Sequence, residues 1–244
     1  MKPPEKNTGD YIFLWLMHNI SEKFKHHAIL KGGMMLRLLD CPRKTIDLDY
    51  VFVPFNSKKE ITAGLLEIVN NIEGAKITKT LNSKSLRIII QVKKTTIQID
   101  ANVSDSCKST TITTSSLARK VNEQPHVIRI MSFDVALSHK LAAWNERRLI
   151  RDLYDIYYIY KIIGVFPDLE ILKSRLTKIE SRLPAMKKIK TMSLEKFKTD
   201  LSYSIRNLSI KDMKKELIPL LNEAFSIDLE LKIKSGIIEL IEKI

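Results

Sequence analysis

Lys31-Gly32-Gly33-Met34-Met35-Leu36-Arg37-Leu38-Leu39, a turn Cys41-Pro42-Arg43-Lys44, and then Thr45-Ile46-Asp47-Leu48-Asp49-Tyr50-Val51-Phe52-Val53-Pro54 form the stretch on which the reading of this chain depends. Gly32-Gly33 interrupts a helical pattern, because glycine enters backbone conformations closed to other residues. Met34–Leu39 then reads as the first turns of a new helix. Thr45–Pro54 alternates and is rich in β-formers, which predicts a strand. Residues two apart on a strand share a face, so Asp47 and Asp49 project together, about 7 Å apart at the backbone. Ile46 and Leu48 give the strand an apolar face to bury.

Working outward, residues 10–30 repeat Ile12, Leu16, Ile20 and Phe24 at helical spacing, and residues 58–73 do so through Ile61, Leu65, Ile68 and Ile72. Leu86–Lys93 and Thr96–Val103, separated by Lys94-Thr95, predict an antiparallel hairpin. Residues 104–120, rich in Ser and Thr, read mostly as loop. Ser132 suits an N-cap and Asp134 a first turn, for a helical region running to about Ile163. Helical patterns then fill Leu169–Leu183, Leu194–Arg206, Ile210–Ala224 and Leu229–Ile244. The expected class is α+β: a small mixed β-sheet flanked by helices in residues 1–130, then a helical C-terminal domain, 131–244, that carries Lys140 and Asp152.

The 244 residues can bury a real core, and 44% hydrophobic with 28% charged content is ordinary for a globular protein. Tyr11–Met17 is apolar but too short to span a bilayer, so no membrane association is expected. Cys41 and Cys107 lack zinc-type spacing and suit a reducing cytoplasm. Net charge is +13, with 25 Lys/Arg against 16 Asp/Glu in residues 1–164 and 16 against 12 in residues 165–244. Such a surface attracts phosphates and nucleic acid, although charge also serves solubility alone.

Paired carboxylates on one strand edge offer the hard oxygen ligands and incomplete coordination that Mg²⁺ uses with substrate phosphates; the same pair also suits a solvated strand face. Asp100 joins that edge if the hairpin lies beside the Asp47 strand. Three acids can hold two metals about 3.5–4 Å apart, and a strand-end turn is the alternative use of Asp100. Gly32-Gly33 leaves helix N–H groups open to an anion. If residues 137–158 form one helix, Lys140, Arg147 and Arg151 fall within about 20° of one another, with Trp144 and Asp155 near them and Asp152 about 120° from Lys140. Basic groups there would offset charge on a transferring phosphoryl group. Leu153, Tyr154, Ile156, Tyr157 and Ile159 read as core.

Lys31–Leu39 with Thr45–Asp49, and then Lys140-Leu141-Ala142-Ala143, Arg147 and Arg151-Asp152-Leu153-Tyr154-Asp155, resemble the AbiEii/AbiGii toxin family of nucleotidyltransferases, in order over roughly residues 28–160. The resemblance implies a DNA polymerase β-like core that uses Mg²⁺ or Mn²⁺ to transfer a nucleoside monophosphate from a nucleoside triphosphate. Relatives act as toxins of toxin–antitoxin or phage-defence pairs, and some modify the 3′ end of tRNA. By position, Asp47 and Asp49 bind metal, with Asp100 in the third-carboxylate place. Gly32 and Gly33, flanked by Lys31 and Arg37, cradle the triphosphate, and Lys140 contacts phosphate. Arg147 and Arg151 organise the rim, and Asp152 is the acid of the last motif. Met34 stands where relatives usually have Ser or Thr, and Glu146–Ile150 lacks the Pro that often splits their helix. The expected function is therefore a cytoplasmic nucleotidyltransferase acting on an acceptor hydroxyl of RNA such as tRNA, with a cognate antitoxin as a partner. The alternative is a binding module that keeps the fold without turnover.

Overall fold

In a computed structural model that describes residues 9–83, 85–221 and 227–244, the chain divides into two units, Met1–Ser132 and Phe133–Ile244. The first is built on a seven-stranded mixed sheet. Its elements are α1 (Gly9–Phe24), β1 (Ala28–Lys31), α2 (Gly32–Arg37), β2 (Asp47–Phe52), α3 (Lys58–Asn70), β3 (Lys76–Leu81), β4 (Leu86–Val92), β5 (Thr95–Val103), β6 (Ser109–Thr113), α4 (Ser115–Val121) and β7 (Val127–Met131). Strand order is β3-β4-β5-β2-β1-β7-β6. β2 runs parallel to β5 and β1 parallel to β7, while the other neighbours are antiparallel.

The alternation anticipated for the central strands is present. Leu48, Tyr50 and Phe52 of β2, Leu86, Ile88, Ile90 and Val92 of β4, and Ile97, Ile99 and Ala101 of β5 are buried. Asp47, Asp49, Gln98 and Asp100 stay partly accessible, and Arg87 is exposed. α1 and α3 pack on the sheet. Helix α3 starts where Ser57 and Glu60 form a reciprocal capping box, which satisfies two of its free amide donors. The β4–β5 hairpin forms as expected, with its turn at Lys93-Lys94.

Two expectations in this unit need correction. The helix anticipated over residues 10–30 ends at Phe24; after the short 3₁₀ turn Lys25–His27, residues 28–31 become strand β1. A run of three apolar residues and a lysine, Ala28–Lys31, carries no decisive period, and its backbone groups are taken up by β2 and β7, which lie far off in sequence. The Ser/Thr-rich segment 104–120 is likewise more than loop. Ser109–Thr113 pairs along β7 as an edge strand, and Ser115–Val121 is a helix closed by Asn122 in the left-handed region at φ 55°.

His18 of α1 is almost fully buried, stacks on His126 with ring centroids 3.7 Å apart, and shares a 2.9 Å hydrogen bond with Thr114 Oγ1. Burial, reinforced by His126, pushes its imidazole down from 6.5 to about 4. Between those values the unfolded chain binds a proton that the native state refuses. Stability is therefore complete above about pH 6.5 and falls as the pH drops toward 4. Urea midpoints measured across that window should decline, and His18→Gln should flatten the decline. An unchanged slope would remove His18 as its source.

The second unit is helical among its described residues: α5 (Phe133–Arg147), α6 (Ile150–Tyr157), a π-helical turn Tyr158–Ile163, α7 (Leu169–Leu176), α8 (Leu194–Arg206), α9 (Ile210–Leu217) and α10 (Ile227–Lys243). Leu153, Tyr154, Ile156, Tyr157 and Ile159 are core, as read. The end of the helix anticipated over Ile210–Ala224 falls partly at 222–226, outside the described residues. A single helix from Ser132 to Ile163 is not formed. It breaks at Arg148, whose φ is 56°. No Gly or Pro marks the break. The Arg148 amide donates to the Trp144 carbonyl (2.7 Å), and its guanidinium lies 4.2 Å from the centroid of the Trp144 ring and donates to Asn145 Oδ1 (3.0 Å). No helix among the described residues is long and apolar enough to cross a membrane.

Candidate active site

Strand register assembles the acidic side chains of the first unit. Asp49 of β2 stands opposite Asp100 of β5 on one side and Lys31 of β1 on the other, and Asp100 stands opposite Arg87 of β4. Adjacent strands lie about 4.8 Å apart. Arg87, Asp100, Asp49 and Lys31 thus form one row across four strands, two acids flanked by two bases, with Asp47 one pleat further along β2. The helical spacing of the earlier segments could not have revealed this row, because it joins residues from four separate strands.

No motif in the sequence singles out the arginine of that row. Arg87 Nε donates to Asp100 Oδ1 (2.9 Å) and Nη2 to Oδ2 (3.1 Å), a bidentate fork, while Gln98 Nε2 donates to the same Oδ2 (2.6 Å). The Asp100 carboxylate, with lesser contributions from Asp47 and Asp49, raises the Arg87 guanidinium above its ordinary range. Arg87 is therefore held in the field of all three acids. Alternation along β4 was the available signal, since it puts Arg87 on the face opposite the buried Leu86 and Ile88.

Gly32 shows why glycine occupies the turn. Its φ is 76°, and a Cβ built there would overlap the Asp49 carboxylate and lie 3.0 Å from Asp49 Cγ. Backbone and carboxylate are thus packed directly together. Gly33 lies against the Arg43 guanidinium, and a Cβ on it would come within 3.2 Å of Thr45 Oγ1. Thr45 Oγ1 in turn accepts from the Asp47 amide (3.3 Å). Arg43, read as a turn residue, is a nearly buried base at the glycine turn. Met34 points into the core and is fully buried. Arg37, expected beside the nucleotide, forms an ion pair with Asp10 (2.6 Å).

Gly32→Ala should cost about 1–2 kcal/mol for the left-handed backbone alone, and it should also displace the Asp49 carboxylate. The expected result is a modest fall in melting temperature with a much larger fall in catalytic rate. Equal losses in the two measurements would make Gly32 merely a turn residue.

The other anticipated residues belong to the second unit. Lys140 Nζ is 2.6 Å from Asp155 Oδ2 and 3.8 Å from Asp152 Oδ1. Arg147 Nη2 donates to both oxygens of Asp152, at 2.7 and 2.9 Å. Both aspartates are buried, while Lys140 and Arg147 keep 16% and 47% of their side-chain surfaces exposed. Burial pushes the Asp152 carboxyl up, against the pull of Lys140 and Arg147. The break at Arg148 replaces the anticipated stripe along one helix with a clasp between α5 and α6. Arg151 is exposed, and its amide donates to Glu216 Oε1 (3.0 Å).

The donor set of the first unit fits a divalent metal in part. Asp47 and Asp49 present hard oxygens on one face, and Asp49 faces a backbone with no side chain in the way. This suits Mg²⁺, which commonly takes one or two carboxylates and completes its shell with water and substrate phosphates. Among the described residues no three His, Cys, Asp or Glu side chains are gathered as a ready metal cage. The oxygens of Asp100 are engaged by Arg87 and Gln98.

A family model described as nucleotidyl transferase AbiEii toxin, type IV toxin–antitoxin system, matches residues 15–231. No curated protein matches the sequence. Two Helicobacter pylori crystal structures share the fold. JHP933 is 17% identical, with a TM-score of 0.60 over 99% of this chain and 94% of that one. A candidate nucleotidyltransferase is 18% identical, with a TM-score of 0.58 over 96% and 93%.

Proposed function

This chain belongs to the AbiEii nucleotidyltransferase toxin family, and we propose that it transfers a nucleoside monophosphate from a nucleoside triphosphate to an acceptor hydroxyl on RNA, such as tRNA. The observation that carries this reading is the Asp47–Asp49 pair on β2, with Asp49 packed against the Gly32 backbone. Asp47 and Asp49 would hold Mg²⁺ or Mn²⁺, which when bound neutralises phosphate charge and lowers the pKa of the attacking oxygen. Lys31, Gly32 and Gly33 would orient the triphosphate. Asp100 would take part in accepting the acceptor's proton, with Arg87 and Gln98 fixing its orientation. Lys140, paired with Asp155 and Asp152 within the second unit, would contact phosphate, with Arg147 and Arg151 at its rim. Membership of a type IV toxin–antitoxin family makes a cognate antitoxin the expected partner, and the two free cysteines suit a reducing cytoplasm.

The test is incubation of purified protein with each labelled nucleoside triphosphate, total RNA and Mg²⁺. Label should enter RNA from one or two of the four and be lost with a chelator. A second reading, a binding module without turnover, is favoured by one feature: Asp100 is already held by Arg87 and Gln98. RNA binding without label transfer would select it. Label in protein and not in RNA would redirect the acceptor to a protein side chain.

A further inference from the structure

Five exposed lysines of the second unit are committed to carboxylates. Lys161 and Lys243 pair with Glu239, Lys173 with Glu170, Lys196 with Asp200 and Lys232 with Asp228, all at 2.6–2.9 Å. The connection between α7 and α8, residues 177–193, concentrates cations instead. It exposes Lys178, Arg182, Lys187, Lys188 and Lys190, with Glu180 as its one acid. The five cations outnumber that acid five to one. Near α9 the cations Lys211, Lys214 and Lys215 are interleaved with Asp212 and Glu216, so net charge there is diluted.

The connection is also built rather than loose. Amide donors of Ile179 and Met192 bond the carbonyls of Lys190 and Leu176 (both 2.9 Å), closing the segment on itself. Ser181 Oγ donates to the Glu146 carbonyl (2.6 Å), and Ile179 and Met186 are buried. Connections this long without regular structure are uncommon in compact domains and usually carry function. Exposed cations on a fixed backbone present their charge to solvent and lose little freedom on binding a polyanion.

We propose that the 177–193 connection is an RNA-docking surface, binding the phosphate backbone of the acceptor strand through Lys178, Arg182, Lys187, Lys188 and Lys190. This rests on the RNA-acceptor reading above. Phosphate contacts supply affinity without reading sequence, so binding here tolerates many acceptors and leaves selection to the site of chemistry.

The test compares wild type with a variant in which all five residues are changed to Gln, using fluorescein-labelled mixed-sequence single-stranded RNA and anisotropy over a salt series. Each lost phosphate contact lowers the log–log salt slope by about 0.7. The five-residue variant should lose about 3.5 slope units and bind at least about tenfold more weakly at physiological salt. A control with Lys161, Lys173, Lys196, Lys232 and Lys243 changed to Gln carries the same charge change and should stay within about threefold of wild type, since those lysines are already paired. If the five-residue variant fails to fold by circular dichroism, Lys187→Gln with Lys188→Gln should still lose about 1.4 slope units. Equal losses in variant and control would leave only net charge and overturn the proposal. So would unchanged RNA binding with lost binding of labelled polyglutamate, which would mark an acidic protein as the occupant. Wild type that binds RNA through this connection yet transfers no label would sink the enzymatic reading alone.

Discussion

Asp49→Asn should reduce label transfer by at least about a thousandfold, the scale on which losing a main electrostatic contributor at a reacting phosphoryl group is felt, while the protein folds and melts much as before. Asp49 sits in a row between Asp100 and Lys31 and packs on Gly32, so the isosteric amide keeps the shape and removes one negative charge. Relieving repulsion between neighbouring carboxylates should raise the melting temperature slightly rather than lower it. Asp47→Asn should behave alike, since the two share a face of β2. A Mn²⁺ titration gives the second readout: either variant should bind Mn²⁺ at least tenfold more weakly in the presence of nucleotide, or not at all. Unchanged transfer and unchanged Mn²⁺ affinity would end the assignment of this pair as a metal site.

The second large effect is on stability. Lys140→Met keeps much of the aliphatic stem and removes the ammonium 2.6 Å from buried Asp155. Breaking one side of a buried ion pair typically costs about 3–5 kcal/mol, because the remaining charge stays desolvated. Arg147 continues to hold Asp152 at 2.7 Å, so the loss should sit near the lower end, about 3 kcal/mol by urea unfolding. Adding Asp155→Asn should recover more than about 1 kcal/mol, the signature of a direct pair in a double-mutant cycle. A loss under about 1 kcal/mol, or strict additivity, would leave Lys140 a solvated base with no structural duty. Lys140 therefore needs two assays, since a drop in activity alone would not separate a phosphate contact from a weakened α5–α6 clasp.

Some of this molecule was legible because local chemistry specified it. Alternation of apolar residues marked β2, β4 and β5, and the short link between β4 and β5 required an antiparallel pair. Leu194–Arg206 forms α8 with the bounds its pattern indicated, and the structure adds Ser193 as its N-cap, its side chain accepting from the Lys196 amide. The two-residue spacing of Asp47 and Asp49 settled their common face. Ala28–Lys31 could not be read as a strand, because its partners are β2 and β7 and nothing local selects strand over helix for four residues. Arg148 carried no breaker signal, since its left-handed backbone is stabilised by Trp144 and Asn145 and not by its own propensity.

For the candidate site the division is similar. Sequence by itself determined the glycine turn, the paired carboxylates and the order of the later Lys and Asp residues, since spacing along one element suffices for each. Only the tertiary structure decided which charges meet. Strand register placed Arg87 on Asp100, the break at Arg148 turned an expected basic stripe into the Lys140–Asp155–Asp152–Arg147 clasp, and the close approach of Gly32 to Asp49 joined residues seventeen positions apart. Such pairings belong to strand order and helix packing, which follow from how the whole core is buried, and no local pattern encodes them.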